Sequence, residues 1–472
     1  MSDTTILILF ILQLIVFLYF IVVNGTYTIL TIISLKDIRT HLSTISSRSI
    51  RNILSSVFYR PLSIIVPAYN EKENIVTTVQ SLLSLTYPEY EVVVVNDGST
   101  DTTLEELVRH FRLVRIEKPV SIVLRHEPIE DIYISLDYEK LTVVSKKNGG
   151  KSDSLNAGIN VSRFPLFCSI DADSLLENDA LMRAARLFVE DREVVATGGI
   201  VRVLNGCTMK DGVVTEVHAP KKALECFQAV EYTRSFLSGR TSWNSFDSLL
   251  VISGAFGIFR KDMVMAIDGY RKTVGEDMDI VVRLHKHCRR NKIRYKVVFV
   301  PDPVCWTQVP SDLVSLLMQR NRWHRGLIDS LWKSKNMFCN PKYGKVGFVG
   351  YPYFLFIEAF GPTIEFLGYC LFIILFFLGW ISREFVILFF FLAIIWGMWL
   401  NLGSIILDNM IYRRYDRVKD LLKLCLFGLL EYLGYRQLIV VERFIATILF
   451  WKKDWGKPKR QEIKNETAQR TA

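Results

Sequence analysis

The stretches LSIIVPAYNE (62–71) and EVVVVNDGSTD (91–101) each start as an apolar run and end in polar, turn-forming residues. Runs of this kind are typical of strands buried on both faces of a parallel sheet. Each is followed by a segment with helical spacing, NIVTTVQSLLSL after the first and about Asp101 to Phe111 after the second. The two stretches therefore predict strand, loop and helix units.

Two more units of the same kind follow along the chain. LTVVSKKNGGKSDSLNAGI (141–159) predicts a strand, a glycine-rich loop and a helix, and LFCSIDADS (166–174) predicts a strand leading into the helix LLENDALMRAARLF. Strand, loop and helix repeating in this order indicate a largely parallel, Rossmann-like α/β sheet with crossover helices. Ligands of such sheets bind at the carboxyl ends of the strands.

Polar residues follow every one of these predicted strands. They are Asn70 with Glu71, Asn96 with Asp97, Lys151, and Asp171 with Asp173. Any single cluster can be explained as turn formers or helix caps. Together they predict one crevice at the carboxyl edge of the sheet.

The two carboxylates of SIDADS stand two residues apart after an apolar strand. If the chain is still extended there, Asp171 and Asp173 point to the same side. A divalent cation bridging to a phosphate would make that pairing of like charges favourable. The alternative is that Asp173 or Ser174 only caps the following helix.

The segment TVGEDMDIVVRLHKH carries Glu276 and Asp277 just after a glycine, at the start of about eight residues with helical spacing. Acidic residues favour a helix N-terminus through capping and the macrodipole. A crevice that activates a hydroxyl also needs a carboxylate that does not bind metal, because a metal-bound carboxylate is a poor general base.

The segment DLVSLLMQRNRWHRGLIDSLWK (312–333) has helical spacing, which predicts that Gln319, Arg322 and Trp323 share one face. An amide, a guanidinium and an indole on one face can bind a pyrophosphate and stack on a sugar ring. Arg320 and Arg325 are expected to point elsewhere, toward lipid headgroups. The alternative is an interfacial helix anchored by its tryptophan.

Half of the 472 residues are hydrophobic, and they concentrate in long uncharged stretches. The stretch between Asp3 and Lys36 exceeds the roughly 20 residues of a bilayer crossing and predicts an uncleaved membrane anchor. Phe366–Ile381 and Phe385–Leu407 predict two more crossings. A third candidate, residues 421–450, contains five charged residues: Lys423, Glu431, Arg436, Glu442 and Arg443. Such charges oppose insertion, and the positive-inside pattern places the C-terminus in the cytosol. A re-entrant or interfacial hairpin, or two short crossings, is therefore expected there instead of a single span.

The net charge of +10 comes from basic residues beside the hydrophobic segments. These residues are Lys36, Arg39, Arg48, Arg51, Arg413, Arg414, Arg417, Lys419, Lys452, Lys453, Lys457, Lys459 and Arg460. This positive-inside pattern predicts a cytosolic central region and argues against nucleic-acid binding. The eight cysteines contain no CxxC pair and indicate neither a zinc site nor a disulfide framework.

The ordered set PAYNE, NDGSTD, NGGKSDSLNAG, DAD, SGAFGIF, GEDMD and QRNRW resembles the processive family-2 glycosyltransferases, such as cellulose, hyaluronan and poly-N-acetylglucosamine synthases. The resemblance covers about Pro61 to Lys345 and the membrane layout. It implies a cytosolic GT-A domain of mostly parallel mixed sheet. It also implies inverting transfer of a hexose from a nucleotide-sugar donor, with Mg²⁺ or Mn²⁺ neutralising the departing diphosphate.

The resemblance also implies a role for individual residues. Tyr69, Glu71 and Asp97 would hold the nucleotide, Lys151, Gln319 and Arg322 the diphosphate, and Asp171 and Asp173 the donor and the metal. Asp277 would be the general base with Glu276 in support, Trp323 the floor under the acceptor sugar, and Ser253 to Phe256, including Gly254, the lining of the acceptor site.

The predicted organisation is a multi-pass protein of the inner or plasma membrane. Its parts are an anchor (1–35), a basic juxtamembrane linker (36–60), the GT-A domain (61–345), a C-terminal membrane region (346–450) and a basic cytosolic tail (451–472). No counterpart of the cellulose-synthase gating loop is evident, and the polar segment 204–244 has no assigned role. A glycan acceptor, a lipid acceptor taking one sugar, export by partner proteins, and a catalytically silent membrane scaffold therefore stay open.

Overall fold

The computed structural model describes residues 3–47, 59–210 and 212–452. The basic residues Arg48 and Arg51, and those from Lys453 onward, lie outside the described residues, as does most of the predicted tail.

The described residues form one ten-stranded mixed sheet and a separate two-stranded hairpin. The strands are β1 Leu62–Ala68, β2 Tyr90–Asn96, β3 Leu113–Ile116, β4 Ile129–Ser135, β5 Leu141–Lys146, β6 Leu166–Ser169, β7 Ser174–Leu176, β8 Val194–Val203, β9 Thr208–Lys210, β10 Val213–Glu216, β11 Gly257–Arg260 and β12 Lys296–Thr307. The order in the large sheet is β3-β4-β5-β2-β1-β6-β11-β8-β12-β7.

The four predicted strands form the centre of this sheet. They are β1, β2, β5 and β6, they lie next to one another in the order β5-β2-β1-β6, and every pair is parallel. β1 and β2 are almost wholly buried, as apolar strands covered on both faces should be. Antiparallel strands flank this centre at β4 and β11. The predicted α/β fold with a mixed sheet is confirmed. The described sheet has four parallel and five antiparallel strand pairs, so it is mostly parallel only at its centre.

The helices alternate with the strands along the chain and also form the apolar terminal regions. They are α1 Asp3–Ser47, α2 Ile75–Leu83, α3 Thr103–His110, α4 Lys151–Val161, α5 Ala180–Ala185, α6 Leu187–Glu190, α7 Ala223–Thr233, α8 Lys261–Met265, α9 Glu276–Arg290, α10 Leu313–Lys333, α11 Tyr351–Tyr353, α12 Gly361–Phe377, α13 Arg383–Phe390, α14 Trp396–Tyr412, α15 Val418–Leu430 and α16 Arg436–Ile448. Gly158 of α4 lies so close to Ile65 of β1 that any side chain there would overlap it. This contact seats the helix that begins at Lys151 directly on the central strand.

The DAD segment differs from the prediction in its local shape. β6 ends at Ser169, and the amide of Ser174 donates to the carbonyl of Asp171 at 3.0 Å, so the chain turns between them. The chain is therefore not extended at Asp171 and Asp173, and the condition for their pointing to the same side is not met. Residues 174–176 then form β7, which pairs with β12, and the predicted helix begins only at Ala180.

Four helical segments among the described residues are long and apolar enough to cross a membrane. They are Leu7–Leu42, Val346–Phe377, Arg383–Tyr412 and Val418–Ile448. The N-terminal helix runs on to Ser47 without a break at residue 35. The last segment is kinked at Leu433 and Gly434, where the backbone leaves helical geometry. The charged segment is thus two helices, α15 and α16, rather than one straight rod.

The polar segment 204–244, which the sequence left unassigned, joins the sheet to the membrane helices. It contains the hairpin β9–β10 and helix α7, which packs against α14 and α15. Arg234, just after α7, lies 3.1 Å from Glu431. Nearby, Arg202 of β8 forms a two-point ion pair with Asp408 of α14 at 2.6 and 2.8 Å. We call this contact between α7, α10, β8 and the C-terminal helices the junction.

Candidate functional site

The loops at the carboxyl ends of β1 and β2 are tied together by one side chain. The side-chain amide oxygen of Asn70 accepts from the backbone amides of Thr100 and Asp101 at 2.8 and 3.3 Å, and the backbone amide of Asn70 donates to Ser99 Oγ at 3.0 Å. Asn70 has a φ of 55°, in the left-handed region that asparagine tolerates. PAYNE and NDGSTD therefore form one continuous rim.

The predicted nucleotide residues on this rim differ in their surroundings. Tyr69 is exposed, whereas Glu71 is buried, with its backbone amide donating to Thr103 Oγ1 at 2.9 Å. Both lie at the end of β1, next to the end of β6, from which the DAD segment continues. The structure therefore places a flat aromatic ring and a buried carboxylate at the edge of the predicted crevice.

Asp97 holds the glycine-rich loop that follows β5. Its carboxylate accepts from the amides of Gly149 and Gly150 at 3.0 and 2.8 Å and lies 2.5 Å from Lys146 Nζ. These contacts fix the loop that leads into Lys151 at the start of α4. The Asp97 carboxylate thus holds the glycine-rich loop and Lys146 in place.

Lys151 stands at the centre of the acidic crevice. Its Nζ lies 2.5 Å from Asp171 Oδ1 and 3.2 Å from Glu276 Oε1. Burial opposes its charge, but Asp171 and Glu276 outweigh that effect and raise the pKa of Lys151. A Cβ added at Gly254 would lie 2.8 Å from Lys151 Nζ and 3.9 Å from both Asp171 Oδ2 and Asp277 Cβ. The structure thus brings together five residues that the sequence scatters over more than a hundred positions.

Asp277 occupies the first turn of α9, where its carboxylate accepts from the amide of Met278 at 2.9 Å. Burial and the neighbouring Glu276 carboxylate raise the pKa of Asp277 to about 6, against the opposing effect of Lys151. A carboxylate whose pKa is close to neutral is a stronger proton acceptor than an ordinary aspartate. α9 has 15 residues, about twice the length expected from the sequence.

A cation that no sequence motif indicates, Arg240, interacts with this carboxylate. Arg240 ends a wide helical turn, Arg234–Arg240, and its guanidinium lies 4.0 Å over the Phe236 ring. Its Nη1 is buried and has no hydrogen-bond partner within the described part of the chain. Burial lowers the pKa of Arg240 to about 10, and attraction to Asp277 opposes that shift. A basic residue in a polar insertion carries no motif, so only the fold could reveal this proximity.

The carboxylates of the crevice fit a divalent cation that is shared with a substrate. Within the described residues no three His, Cys, Asp or Glu side chains form a preformed metal cluster. Asp171 is one-third exposed and Asp173 is half-buried in the same turn. Mg²⁺ commonly takes only one or two protein carboxylates and completes its shell with phosphate oxygens and water. This donor set matches that mode of binding.

The segment GEDMD and the helix QRNRWHRG meet at a pair of glycines. A Cβ on Gly275 would lie 2.7 Å from Gly326 Cα, and a Cβ on Gly326 would lie 2.7 Å from Gly275 Cα. Thr273 Oγ1 also donates to Asp329 Oδ2 of α10 at 2.6 Å. The start of α9 is therefore fixed against the middle of α10. The sequence contained both glycines but no sign that they touch.

The prediction that Arg320 and Arg325 point to lipid headgroups was wrong. Arg320 is 3% exposed, lies 2.7 Å from Glu231 of α7, and donates to Gln319 Oε1 at 2.7 Å. Arg325 is also buried and donates to the carbonyl of Lys452. The reason is that α10 packs against α9 and α16 and also contacts α7 through Arg320 and Glu231, so more than one of its faces is covered.

The helix α10 spans Leu313–Lys333 and begins at Asp312, whose side chain accepts from the amide of Ser315 at 2.9 Å. Trp323 is 44% exposed, and its ring lies 4.4 Å from the Arg320 guanidinium and 6.4 Å from the Tyr232 ring. Arg322 and Gln319 are partly exposed on the same helix. The Trp323 indole therefore contacts Arg320 and Tyr232 of the junction, and part of its surface is exposed to solvent.

Ser253 and Gly254 belong to the turn that precedes β11, where the carbonyl of Ser253 accepts from the amide of Phe256 at 3.1 Å. This turn brings Gly254 against Lys151 because glycine leaves room for the ammonium group. The structure thus places one of the two expected acceptor residues directly in the crevice, with Ser253 beside it.

The chain is similar to proteins of known activity. Over 279 residues it is 26% identical to a poly-beta-1,6-N-acetyl-D-glucosamine synthase of Staphylococcus epidermidis, covering 58% of this chain and 57% of that protein. A synthase of the same name from Staphylococcus aureus (strain COL) is 28% identical over 265 residues, 56% of this chain and 54% of that one. The chain thus spans a little over half the length of these relatives.

Among solved structures, a similar one is the mannosyltransferase PcManGT from Pyrobaculum calidifontis in complex with GDP-Man and Mn²⁺. The TM-score is 0.49 and the identity 16%, covering 90% of this chain and 100% of that one.

The family models match two overlapping parts of the chain. The model described as Glycosyl transferase family 2 matches residues 63–249, and that described as Glycosyl transferase family group 2 matches residues 166–400. The first match spans PAYNE to the polar insertion, and the second spans DAD, GEDMD and QRNRW. The family expected from the seven motifs is confirmed, and the chain belongs to the family-2 glycosyltransferases.

Proposed function

We propose that the protein is a membrane-bound, inverting glycosyltransferase that moves a hexose from a UDP-sugar to a growing polysaccharide. The observation that carries this proposal is the meeting of Lys151, Asp171, Gly254, Glu276 and Asp277 in one crevice. Such a crevice contains a lysine ammonium group, carboxylates that can bind a metal ion, and a separate carboxylate that can accept a proton. These are the groups that an attack on a nucleotide sugar requires.

The donor end of the crevice would bind the nucleotide diphosphate. Tyr69, Glu71 and Asp97 lie on the rim for the nucleotide, with Asp97 also fixing the loop that carries Lys151. Lys151, Gln319 and Arg322 would bind the diphosphate. Asp171 and Asp173 would hold a Mg²⁺ or Mn²⁺ ion, which supplies positive charge to the diphosphate oxygens when bound.

The acceptor end would lie beside Gly254, Ser253 and Trp323. The acceptor hydroxyl loses its proton to Asp277, its oxygen forms the new bond to the anomeric carbon, and the bond to the diphosphate oxygen breaks. Burial keeps Asp277 basic enough for this step. Glu276 would hold the Lys151 ammonium group in place together with its other partner, Asp171. The exposed indole of Trp323 offers a face on which a sugar ring can stack.

The positive-inside pattern supports a cytosolic catalytic region in the plasma or inner membrane. The similarity to the staphylococcal synthases over the catalytic region supports the hypothesis that the acceptor is a growing polysaccharide. Product export, by this chain or by partner proteins, is a separate step that the crevice does not determine.

The test is an activity screen of the full chain in membranes, with UDP- and GDP-sugars and with Mg²⁺ or Mn²⁺. Radiolabelled product is then sized and digested with linkage-specific glycosidases. A long carbohydrate made from one UDP-sugar supports the proposal. A lipid carrying a single sugar would replace the polymer with a lipid acceptor, and no transfer or donor hydrolysis with any donor would favour a catalytically silent scaffold.

A further inference from the structure

A second charged cavity lies at the far end of α9 from Asp277. It has a volume of about 530 Å³ and is lined by Glu193, Arg289, Lys292, Ile293, Arg294, Tyr295 and Lys342. α9 has 15 residues, so its two ends are separated by roughly 20 Å at 1.5 Å per residue. The cavity is therefore distinct from the sugar-transfer crevice.

Among the described residues, the basic side chains of this cavity outnumber its carboxylates. Arg289, Lys292, Arg294 and Lys342 line it against a single carboxylate, Glu193. Among the described residues, no ion pair within 4.0 Å engages any of these four. The neighbouring Lys296 and Lys345 do pair, with Asp191 and Asp247 at 2.7 and 3.1 Å. The lining of the cavity thus carries a surplus of positive charge.

Basic residues near a helix C-terminus are often explained by the macrodipole, which favours positive charge there. That explanation fits Arg289, which is in the last turn of α9. It does not explain Lys292 and Arg294, which follow the helix, or Lys342, which comes from a separate turn, Pro341–Tyr343. Segments distant in sequence converge on one concave surface, as they do in a binding site.

One cation of the cavity is held in place by a buried hydrogen-bond chain. Burial lowers the pKa of His285 to about 4, so its ring is neutral. Its Nε2 lies 2.8 Å from the Leu249 carbonyl and must donate to it, which leaves Nδ1 to accept from Tyr295 Oη at 2.8 Å. Tyr295 Oη in turn accepts from Arg289 Nε at 3.2 Å. Arg289 is therefore oriented before any ligand arrives.

We propose that this cavity binds a phosphate-bearing anion at Arg289, Lys292, Arg294 and Lys342. A guanidinium whose Nε is already bonded still presents its two outer nitrogens, which match two phosphate oxygens. The lysines add point charges. Lys342 lies four residues before Val346, where a candidate membrane span begins. The phosphate could therefore belong to a soluble compound or to an anionic lipid headgroup, and the experiment separates these sources.

The test compares the full chain with the double variant Lys292→Ala/Lys342→Ala. A matched control, Lys118→Ala/Lys210→Ala, removes the same charge from a partly exposed and an exposed position elsewhere. In one arm, detergent-solubilised proteins are titrated with inorganic pyrophosphate by calorimetry. In the other, nanodiscs of phosphatidylcholine with phosphatidylglycerol are used, and retained phosphatidylglycerol is counted by native mass spectrometry. Pyrophosphate bound in the transfer crevice contributes equally to all three proteins.

We expect the cavity variant to bind about tenfold more weakly than the control in one arm, a loss of about 1.4 kcal/mol, because two positive charges beside the anion are removed. A loss with pyrophosphate identifies a soluble ligand, and a loss confined to the lipid arm identifies a headgroup. Charge reversal by Arg294→Glu should weaken binding further in the same arm. Equal binding by wild type, control and variants in both arms overturns the proposal.

Discussion

The crevice and the junction both contain buried charge but arrange it in opposite ways. At the junction each arginine faces its own carboxylate: Arg320 faces Glu231, and Arg202 faces Asp408 at two points. In the crevice a single lysine is shared by Asp171 and Glu276, while Asp277 beside them has a raised pKa. Matched pairs fix a geometry. An acidic surplus is unfavourable until a cation or a proton arrives, which is suited to binding and proton transfer.

The largest effect is expected from Asp277→Asn, which removes the proposed base and keeps the size of the side chain. Sugar transfer should fall by about a thousandfold, within the usual range for losing a general base, while UDP binding stays within a few-fold of wild type. Asp137→Asn, on the surface, is the control. The measurements are turnover of radiolabelled donor and calorimetric UDP affinity. Unchanged turnover would remove Asp277 from the mechanism.

Removing divalent cations tests whether the carboxylates of the crevice need a bound metal ion for activity. Chelation by EDTA should abolish transfer, and Mg²⁺ or Mn²⁺ should restore it, because the crevice carboxylates need a cation before they can face a diphosphate. UDP affinity should fall by at least about tenfold in EDTA, as phosphate binding through a metal is lost. Full activity in EDTA after dialysis would show that Lys151, Gln319 and Arg322 neutralise the diphosphate without a metal.

The junction is tested by breaking one matched pair. Glu231→Gln leaves Arg320 buried without its counter-charge and should lower the free energy of unfolding by about 3 kcal/mol. The double variant Glu231→Gln/Arg320→Met should recover much of this loss, because it removes the unpaired charge as well. Thermal unfolding in detergent measures both. If the single variant unfolds at the wild-type temperature, the pair does not stabilise the junction.

The glycine contact between the two regions is tested by Gly326→Ala. The added methyl group would lie 2.7 Å from Gly275 Cα, which should destabilise the protein by about 1 to 3 kcal/mol through overpacking. Because Gly275 immediately precedes Glu276 and Asp277, turnover should fall more than UDP affinity does. Gly403→Ala, where the structure leaves open space, is the control. If Gly326→Ala and Gly403→Ala have the same stability and turnover, the contact between Gly275 and Gly326 is not tightly packed.

The smallest effect concerns the pH profile. Asp277 must be a carboxylate to accept a proton, so turnover should be constant above its pKa of about 6 and fall as the pH drops through that value. Arg240 lowers the pKa of Asp277, so Arg240→Gln should move this acid limb upward by less than about one pH unit, and Arg240→Lys should return it. If the three proteins have superimposable pH profiles, Arg240 does not influence the pKa of Asp277.

Much of the central sheet could be predicted because its signals are local. Apolar runs, glycine-bearing turns and helical spacing within ten to twenty residues identified β1, β2, β5 and β6. The turn after β6 could not be predicted this way, because residues 174–176 become a strand only by pairing with β12, more than a hundred positions away. The same limit explains Arg320: periodicity gives the faces of a helix, but not how many of them are covered.

The sequence alone determined the parallel centre of the sheet, the family, and the apolar segments long enough to cross a membrane, because these follow from patterns of neighbouring residues. Only the tertiary structure decided which charges share a crevice, which are matched at the junction, and that Arg240 lies beside Asp277. It also brought Arg289, Lys292, Arg294 and Lys342 around one cavity. The physical reason is that electrostatic interaction depends on distance and burial in space, and separation along the chain specifies neither.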